Sequence, residues 1–241
     1  MASHPAASQP IVVLGGFLID PPAYGPMLET LRRCSGQPVT LVEVGKPEWL
    51  LTVFPFAWAR ILDRVNATVT DQAAASATGR VTLVGHSSGG IMLRLFLGDG
   101  PFEGRRWSGR RRADTLVMLG SPHTALKATP LRQRVDRELP GAFFAAADAG
   151  KRVRYLSVAG DLDLSDPAAS ATARRLAPTA YRNSSGDPGD RGDGLVPVRS
   201  ALLAGSETMV LPGVAHGGAF GERWYGTPAV VEQWWEALRG G

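Results

Sequence analysis

The chain has 241 residues, 44% of them apolar and 20% charged, and its 26 basic and 22 acidic side chains leave a net charge of +4. That apolar content excludes a disordered chain, and no run of about 18 uninterrupted apolar residues is present to form a transmembrane helix. Cys34 is the single cysteine, which excludes an internal disulfide and makes a cytoplasmic, disulfide-independent protein the expectation.

Residues 1–10 lack the basic and apolar regions of a secretory signal and read as a flexible N-terminal arm. Residues 11–241 read as one domain, near the upper size limit for a single core. The first predicted strand, Ile11–Leu14, runs into Gly15-Gly16-Phe17. A helix over Tyr24–Cys34 and a strand over Val39–Val44 follow. The apolar stretch Trp49–Trp58 reads first as core and second as the lining of an acyl pocket. A helix over Trp58–Ala77 then leads to a strand over Val81–Val84.

That strand passes directly into Gly85-His86-Ser87-Ser88-Gly89-Gly90 and a helical run, Gly89–Leu97. Strand, Gly-x-Ser-x-Gly and helix together are the context of a nucleophile elbow, which sets a serine on a sharp turn at the carboxyl end of a buried strand. Gly85 and Gly89 leave room for a turn so tight that a Cβ would strike neighbouring backbone. The basic run Arg105–Arg112, which includes Trp107, reads as a solvated loop. Its alternative is attraction to anionic lipid, as a transient interfacial membrane contact; nucleic acid is not an expected partner.

Strands over Thr115–Leu119, Arg154–Val158 and Thr208–Leu211 and a helix over Thr227–Leu238 complete the pattern. The strands are apolar on both faces and alternate with helices. This predicts an α/β fold with a mostly parallel central sheet covered by helices on both sides. Residues 122–150 are too long for a simple loop and read as a small cap or flap over the site. The stretch Ser184–Gly194 is turn chemistry throughout.

A nucleophilic serine needs a base, an acid that orients the base, and donors for the oxyanion. His4 lies in the arm. His86 adjoins the nucleophile, where side chains diverge, and His123, in Gly-Ser-Pro-His after a strand, reads as structural. His216 follows the last predicted strand, where chains with a nucleophile elbow place the base, and the glycines around it suit a mobile loop. For the acid, Asp193 competes with Asp161 and Asp163, which directly follow a strand and have turn-capping as their bland role. The backbone N–H groups of Ser88 and Phe17 are the expected oxyanion donors. No cofactor or metal is expected; the aspartates at 187–193 are the alternative, as a calcium site.

Strand-Gly-Gly-Phe, Gly-His-Ser-Ser-Gly-Gly, Leu-Gly-Ser-Pro-His, Gly-Asp-Gly-Leu-Val-Pro, Gly-Val-Ala-His and Trp224-Tyr225-Gly226 together resemble the lipase branch of the α/β-hydrolase superfamily. They are most similar to lipase-like bacterial and plant proteins related to GPI inositol-deacylases. The chain departs from many lipases at Gly15, where they carry His. The resemblance implies an α/β-hydrolase fold and favours Asp193 as the acid. It implies a carboxylic ester hydrolase, a lipase or esterase, with Ser87, Asp193 and His216 as catalytic triad and a small-molecule or lipid ester as substrate. The same residues would serve an acyltransferase, a thioesterase or a GPI/lipid deacylase, and the fold alone would serve a non-catalytic ligand-binding protein. Acyl length and oligomeric state are left open by the sequence.

Overall fold

The computed structural model describes residues 8–147 and 152–240. Residues 1–7 of the expected arm, with His4, and residues 148–150 of the expected cap lie outside the described residues. Among the described residues six strands form one wholly parallel sheet: β1 (Ile11–Leu14), β2 (Val39–Val42), β3 (Val81–His86), β4 (Ala113–Leu119), β5 (Arg154–Asp161) and β6 (Glu207–Pro212). Their order is β2-β1-β3-β4-β5-β6.

Alternation along the strands divides the apolar side chains between two faces. Val12, Leu14, Leu83, Leu116 and Met118 pack on one face, against α3 (Pro55–Ala75) and α4 (Ser88–Leu97). Ile11, Val13, Val84, Val117 and Val158 pack on the other, against α1 (Gly25–Ser35) and α8 (Pro228–Gly240). Because both faces are covered, the central strands read as continuous apolar runs. β6 departs from that expectation: it lies at the sheet edge and most of it is solvent-facing.

Three helices are absent from the sequence-based pattern: α2 (Lys46–Leu50), α5 (Pro130–Glu138) and α6 (Ala171–Ser185); α7 (Val198–Ala201) is a short helix just after the Gly192–Pro197 segment. α6 was hidden by Pro178, which removes an internal N–H donor and reads as a stop. Its buried stripe is Ala173, Ala177 and Tyr181, mostly too small to register as an apolar face. Its ends are nonetheless well capped: Ser170 Oγ accepts the Ala173 N–H at 3.0 Å, and Gly186 closes it at φ 87°. α5 buries only Val135. The basic run 105–112 folds into the α4–β4 connection, where Arg105 pairs with Asp63, Arg110 with Asp99, and the buried Trp107 indole N–H donates to Asp63 at 3.0 Å. Among the described residues no helix is long and apolar enough to cross a membrane.

The central and edge strands should respond differently to truncation. Leu83→Ala, in a fully buried strand, should lower unfolding free energy by about 2–5 kcal/mol. Val210→Ala, on the edge strand, where the side chain is 39% exposed, should change it by at most about 0.5 kcal/mol. Chemical denaturation of both variants checks the contrast.

Candidate active site

The strand order reverses between β1 and β3, and in open α/β sheets the crevice beyond the strand ends at such a switch point is the usual ligand site. Leu14 pairs with Gly85, so the loops that follow β1 and β3 emerge side by side. Ser87 stands between β3 and α4 at φ 53°, ψ −124°, a sparsely populated conformation for a residue with a side chain. Its N–H is anchored to the Leu119 carbonyl at 2.8 Å. A Cβ at Gly85 would lie 2.5 Å from Gly90 Cα, and one at Gly89 would strike the carbonyl oxygens of Leu14 and Gly15. Gly90, which sequence reasoning passed over, is equally constrained, because its Cβ would collide with Ser121 Oγ.

Ser87, His216 and Asp193 meet in one hydrogen-bonded line. His216 Nε2 lies 3.0 Å from Ser87 Oγ, and His216 Nδ1 lies 2.8 Å from Asp193 Oδ2. A carboxylate only accepts, so Nδ1 carries the proton and, in the neutral imidazole, Nε2 accepts from the serine hydroxyl. Asp193 is 0% exposed, His216 2% and Ser87 7%. Burying that carboxylate requires that its lone pairs be used, and four donors use them. Leu195 and Val196 N–H reach Oδ1 at 3.0 and 2.8 Å; Tyr225 O–H reaches Oδ2 at 2.9 Å beside the imidazole. Tyr225 in turn accepts the Gly160 N–H at 2.6 Å. Burial, then the neighbouring Asp193 charge, pushes its phenol pKa well up, so it stays a donor.

Asp161 and Asp163 do not approach the imidazole. Asp161 pairs with Arg191, and Asp163 accepts the Ser165 N–H at 2.8 Å in an exposed turn. Asp187 and Asp190 are likewise spent locally: Asp187 accepts the Gly189 N–H at 2.8 Å, and Asp190 forms an ion pair with Arg199. Asp193 itself rides on the loop after α6, a helix that the sequence pattern did not reveal.

His86 has a role that adjacency to the nucleophile concealed. Its Nε2 lies 2.8 Å from the His216 carbonyl, which must accept, so the Nε2 proton is fixed and Nδ1 is an acceptor. The Tyr24 hydroxyl, 2.9 Å away, donates to Nδ1 and accepts the Gly16 N–H at 2.7 Å. One chain of bonds thus ties the loop after β1 to the backbone of His216. The His216 N–H donates to the Asp193 carbonyl at 2.8 Å. His216 is therefore held on both sides of its backbone rather than lying free among its glycines. Burial, then the nearby His216, keeps the His86 pKa well below its ordinary value.

With Gly16 engaged by Tyr24, the next N–H of that loop, Phe17, has no acceptor among the described residues. A Cβ on Gly16 would lie 2.8 Å from Ser87 Cβ, so this backbone runs directly against the serine. Ser88 opens α4, where a helix leaves its N–H groups without internal acceptors. Ser87, Ser88, Phe17 and His216 line one cavity of about 340 Å³. A second, of about 630 Å³ and mostly apolar, shares Phe17 and Ser88 and is walled by Trp49, Trp58, Met92 and Leu131. The stretch 49–58 is thus only partly core. Trp49 and Trp58 are buried, while Val53, Phe54 and Phe56 face solvent, Val53 at 73% exposure. A larger cleft, of about 720 Å³, is lined by Asp161, Asp163 and Arg191 and does not include Ser87 or His216.

His123 lies apart from the Ser87–His216–Asp193 line. It is buried, with Nδ1 3.3 Å from Arg94 Nη1. Burial, then the Arg94 and Arg132 charges, hold its pKa well below the ordinary 6.5. Below about pH 6.5 the unfolded chain binds protons on residues 86 and 123 that the folded chain refuses. Stability should be full above that pH and fall as the solution is acidified, each histidine contributing up to about 1.4 kcal/mol per pH unit. His123→Gln should flatten the slope between pH 6.5 and 5 by about that amount. Denaturant unfolding at stepped pH measures it; an unchanged slope would contradict the neutral buried imidazole.

No protein-family model matches the sequence, and no curated protein does. Solved structures do. Est1E from Butyrivibrio proteoclasticus, solved with ferulic acid bound, is 14% identical, with 97% of this chain and 90% of that one covered at a TM-score of 0.53. Tomato methylketone synthase I, solved with 2-tridecanone, is 11% identical, with 97% and 98% covered at a TM-score of 0.51. MGS-MChE2, an alpha/beta hydrolase enzyme from the metagenome of sediments of the Mar Chica lagoon in Morocco, is 12% identical, with 96% and 92% covered at 0.51. At such identities the likeness is one of architecture, and with the six-stranded parallel sheet it establishes the α/β-hydrolase fold.

Proposed function

We propose that the protein is a serine hydrolase of carboxylic esters, an esterase or lipase that works through an acyl-enzyme. The observation that carries this reading is the line of bonds from Ser87 Oγ to His216 Nε2 and from His216 Nδ1 to Asp193. In it, His216 takes the Ser87 proton as Oγ attacks the ester carbonyl. The Phe17 and Ser88 N–H groups stabilise the oxyanion of the tetrahedral intermediate. His216 then gives its proton to the departing alcohol, and a water activated by the same imidazole releases the acid and restores Ser87. Asp193 keeps the imidazole in the required tautomer and offsets its positive charge while the intermediate exists.

Three further features support the reading. The buried, fully bonded Asp193 is preorganised, so little reorganisation accompanies charge development. The apolar cavity beside Ser88 suits an acyl chain, and residues 122–147, with α5, act as the cap that borders it. The structural neighbours include Est1E, solved with ferulic acid bound, and the narrower tie to lipases and inositol-deacylases rests on the sequence motifs alone.

Ser87→Ala should remain folded and lose about four to six orders of magnitude in kcat on a chromogenic butyrate ester. Hydrolysis near the unmodified rate would overturn the proposal. Asp193→Asn should cost on the order of 10⁴-fold in kcat, because the amide can donate to Nδ1 and favour the wrong tautomer. Asp161→Asn should retain most activity; the reverse ranking would return the acid to the end of β5.

A further inference from the structure

Building on the esterase reading, we propose that the preferred ester carries an anionic group, a carboxylate or phosphate, on its alcohol part, bound by Arg132 with Lys127 at the cavity rim. Both residues line the cavity that contains Ser87 and His216, and among the described residues no Asp or Glu lines it. The adjoining apolar cavity is lined by Arg132, Arg134 and Arg137, again with no acidic residue among the described residues. Asp161, Asp163 and Asp190 line a separate cleft, and Asp193 is held by His216 and its other donors.

Nearby cations have partners that these two lack. Arg94 pairs with Asp136 at 3.1 Å, and Arg134 pairs with Glu138 at 2.7 Å. Arg132 donates from Nη2 to the Pro122 carbonyl, its buried Nε has no acceptor, and no carboxylate forms an ion pair with it among the described residues. Among the described residues Lys127 bonds only through its backbone N–H, to the Asn183 carbonyl. A half-buried guanidinium with no anion in direct contact is costly, and its planar fork matches carboxylate and phosphate oxygens. Its burial weakens its hold on the proton, the nearby Asp136 charge offsets this in part, and the positive charge of Arg94 adds to it, a penalty that a bound anion would relieve.

The cavity also places the anion within the ester. Lys127 lines only the cavity that contains His216, the imidazole that protonates the departing alcohol. The apolar cavity is left for the acyl chain. The favoured substrate is therefore an amphiphile: an apolar acyl group joined to an anionic alcohol.

The test compares kcat/KM for the butyrate ester of 3-hydroxybenzoate with that for the butyrate ester of its methyl ester, which has the same ring and no charge. The butyrate of 3-hydroxyphenyl phosphate is the phosphate arm. One or both anionic esters should exceed the neutral one by about tenfold, the scale of a hydrogen bond to a charged partner. The larger ratio shows whether carboxylate or phosphate fits. Arg132→Gln should bring that ratio close to one, Arg132→Lys should keep part of it, and Lys127→Gln should lower it less. Added salt should lower it too. If Arg132→Gln fails to fold by circular dichroism, the exposed Lys127→Gln and the salt series decide. Ratios at or below one in the unmodified enzyme, or ratios unmoved by either variant and by salt, overturn the anion site. Absence of turnover on all three esters overturns instead the esterase reading on which it rests.

Discussion

Three loops meet at the carboxyl edge of the sheet because their backbones come into direct contact. The turn after β3 presses against the end of β1 so closely that only hydrogen fits on the α-carbon of Gly89. That contact turns Ser87 toward the crevice and holds its backbone at a positive φ that an isolated serine would avoid. The loop after β1 lies against Ser87 for the same reason, with Gly16 in place of a side chain. Local conformational cost is offset by the surrounding sheet, in which Leu14 pairs with Gly85 and the Ser87 N–H with Leu119. The site is thus a product of packing before it is a product of chemistry.

Hydrogen bonding then determines which proton sits where. Asp193 and His86 are both buried, and each can be buried only with its polar atoms satisfied. The bonds that satisfy Asp193 turn His216 toward Ser87. The bonds that satisfy His86 join the Gly16 loop to the His216 carbonyl. Tyr24 and Tyr225, from opposite ends of the chain, close the two halves of this network. Removing either hydroxyl would leave a buried group unpaired, at a cost of about 1–3 kcal/mol.

What the sequence revealed and what it hid divide along physical lines. Short β-branched runs, apolar on both faces, made the six strands visible, and the glycine spacing around Ser87 marked the turn. The side chains of Ser87, Asp193 and His216, grouped from motifs, lie in hydrogen-bond contact. α6 was obscured because Pro178 mimics a stop and its buried stripe is largely alanine. α5 was obscured because a charged helix with one buried valine has no apolar face to detect. The connection from His86 to His216 spans 130 residues, and no local pattern encodes a bond of that range. Tyr225 was noticed only as part of a motif; its bond to Asp193 depends on where the loop before α8 returns to the sheet. The stretch 49–58 divides between core and cavity wall because burial there depends on neighbours from α5, the helix that went unseen.

The central claim is that Ser87 is an activated nucleophile, and covalent labelling tests it without any choice of ester. The folded protein, treated with a fluorophosphonate and examined by intact-mass and peptide mass spectrometry, should take up one phosphonyl group, on Ser87. Ser87→Ala should take up none, and His216→Gln should label far more slowly. A folded protein that resists the reagent, or that is labelled at another residue with Ser87 unmodified, would contradict the account.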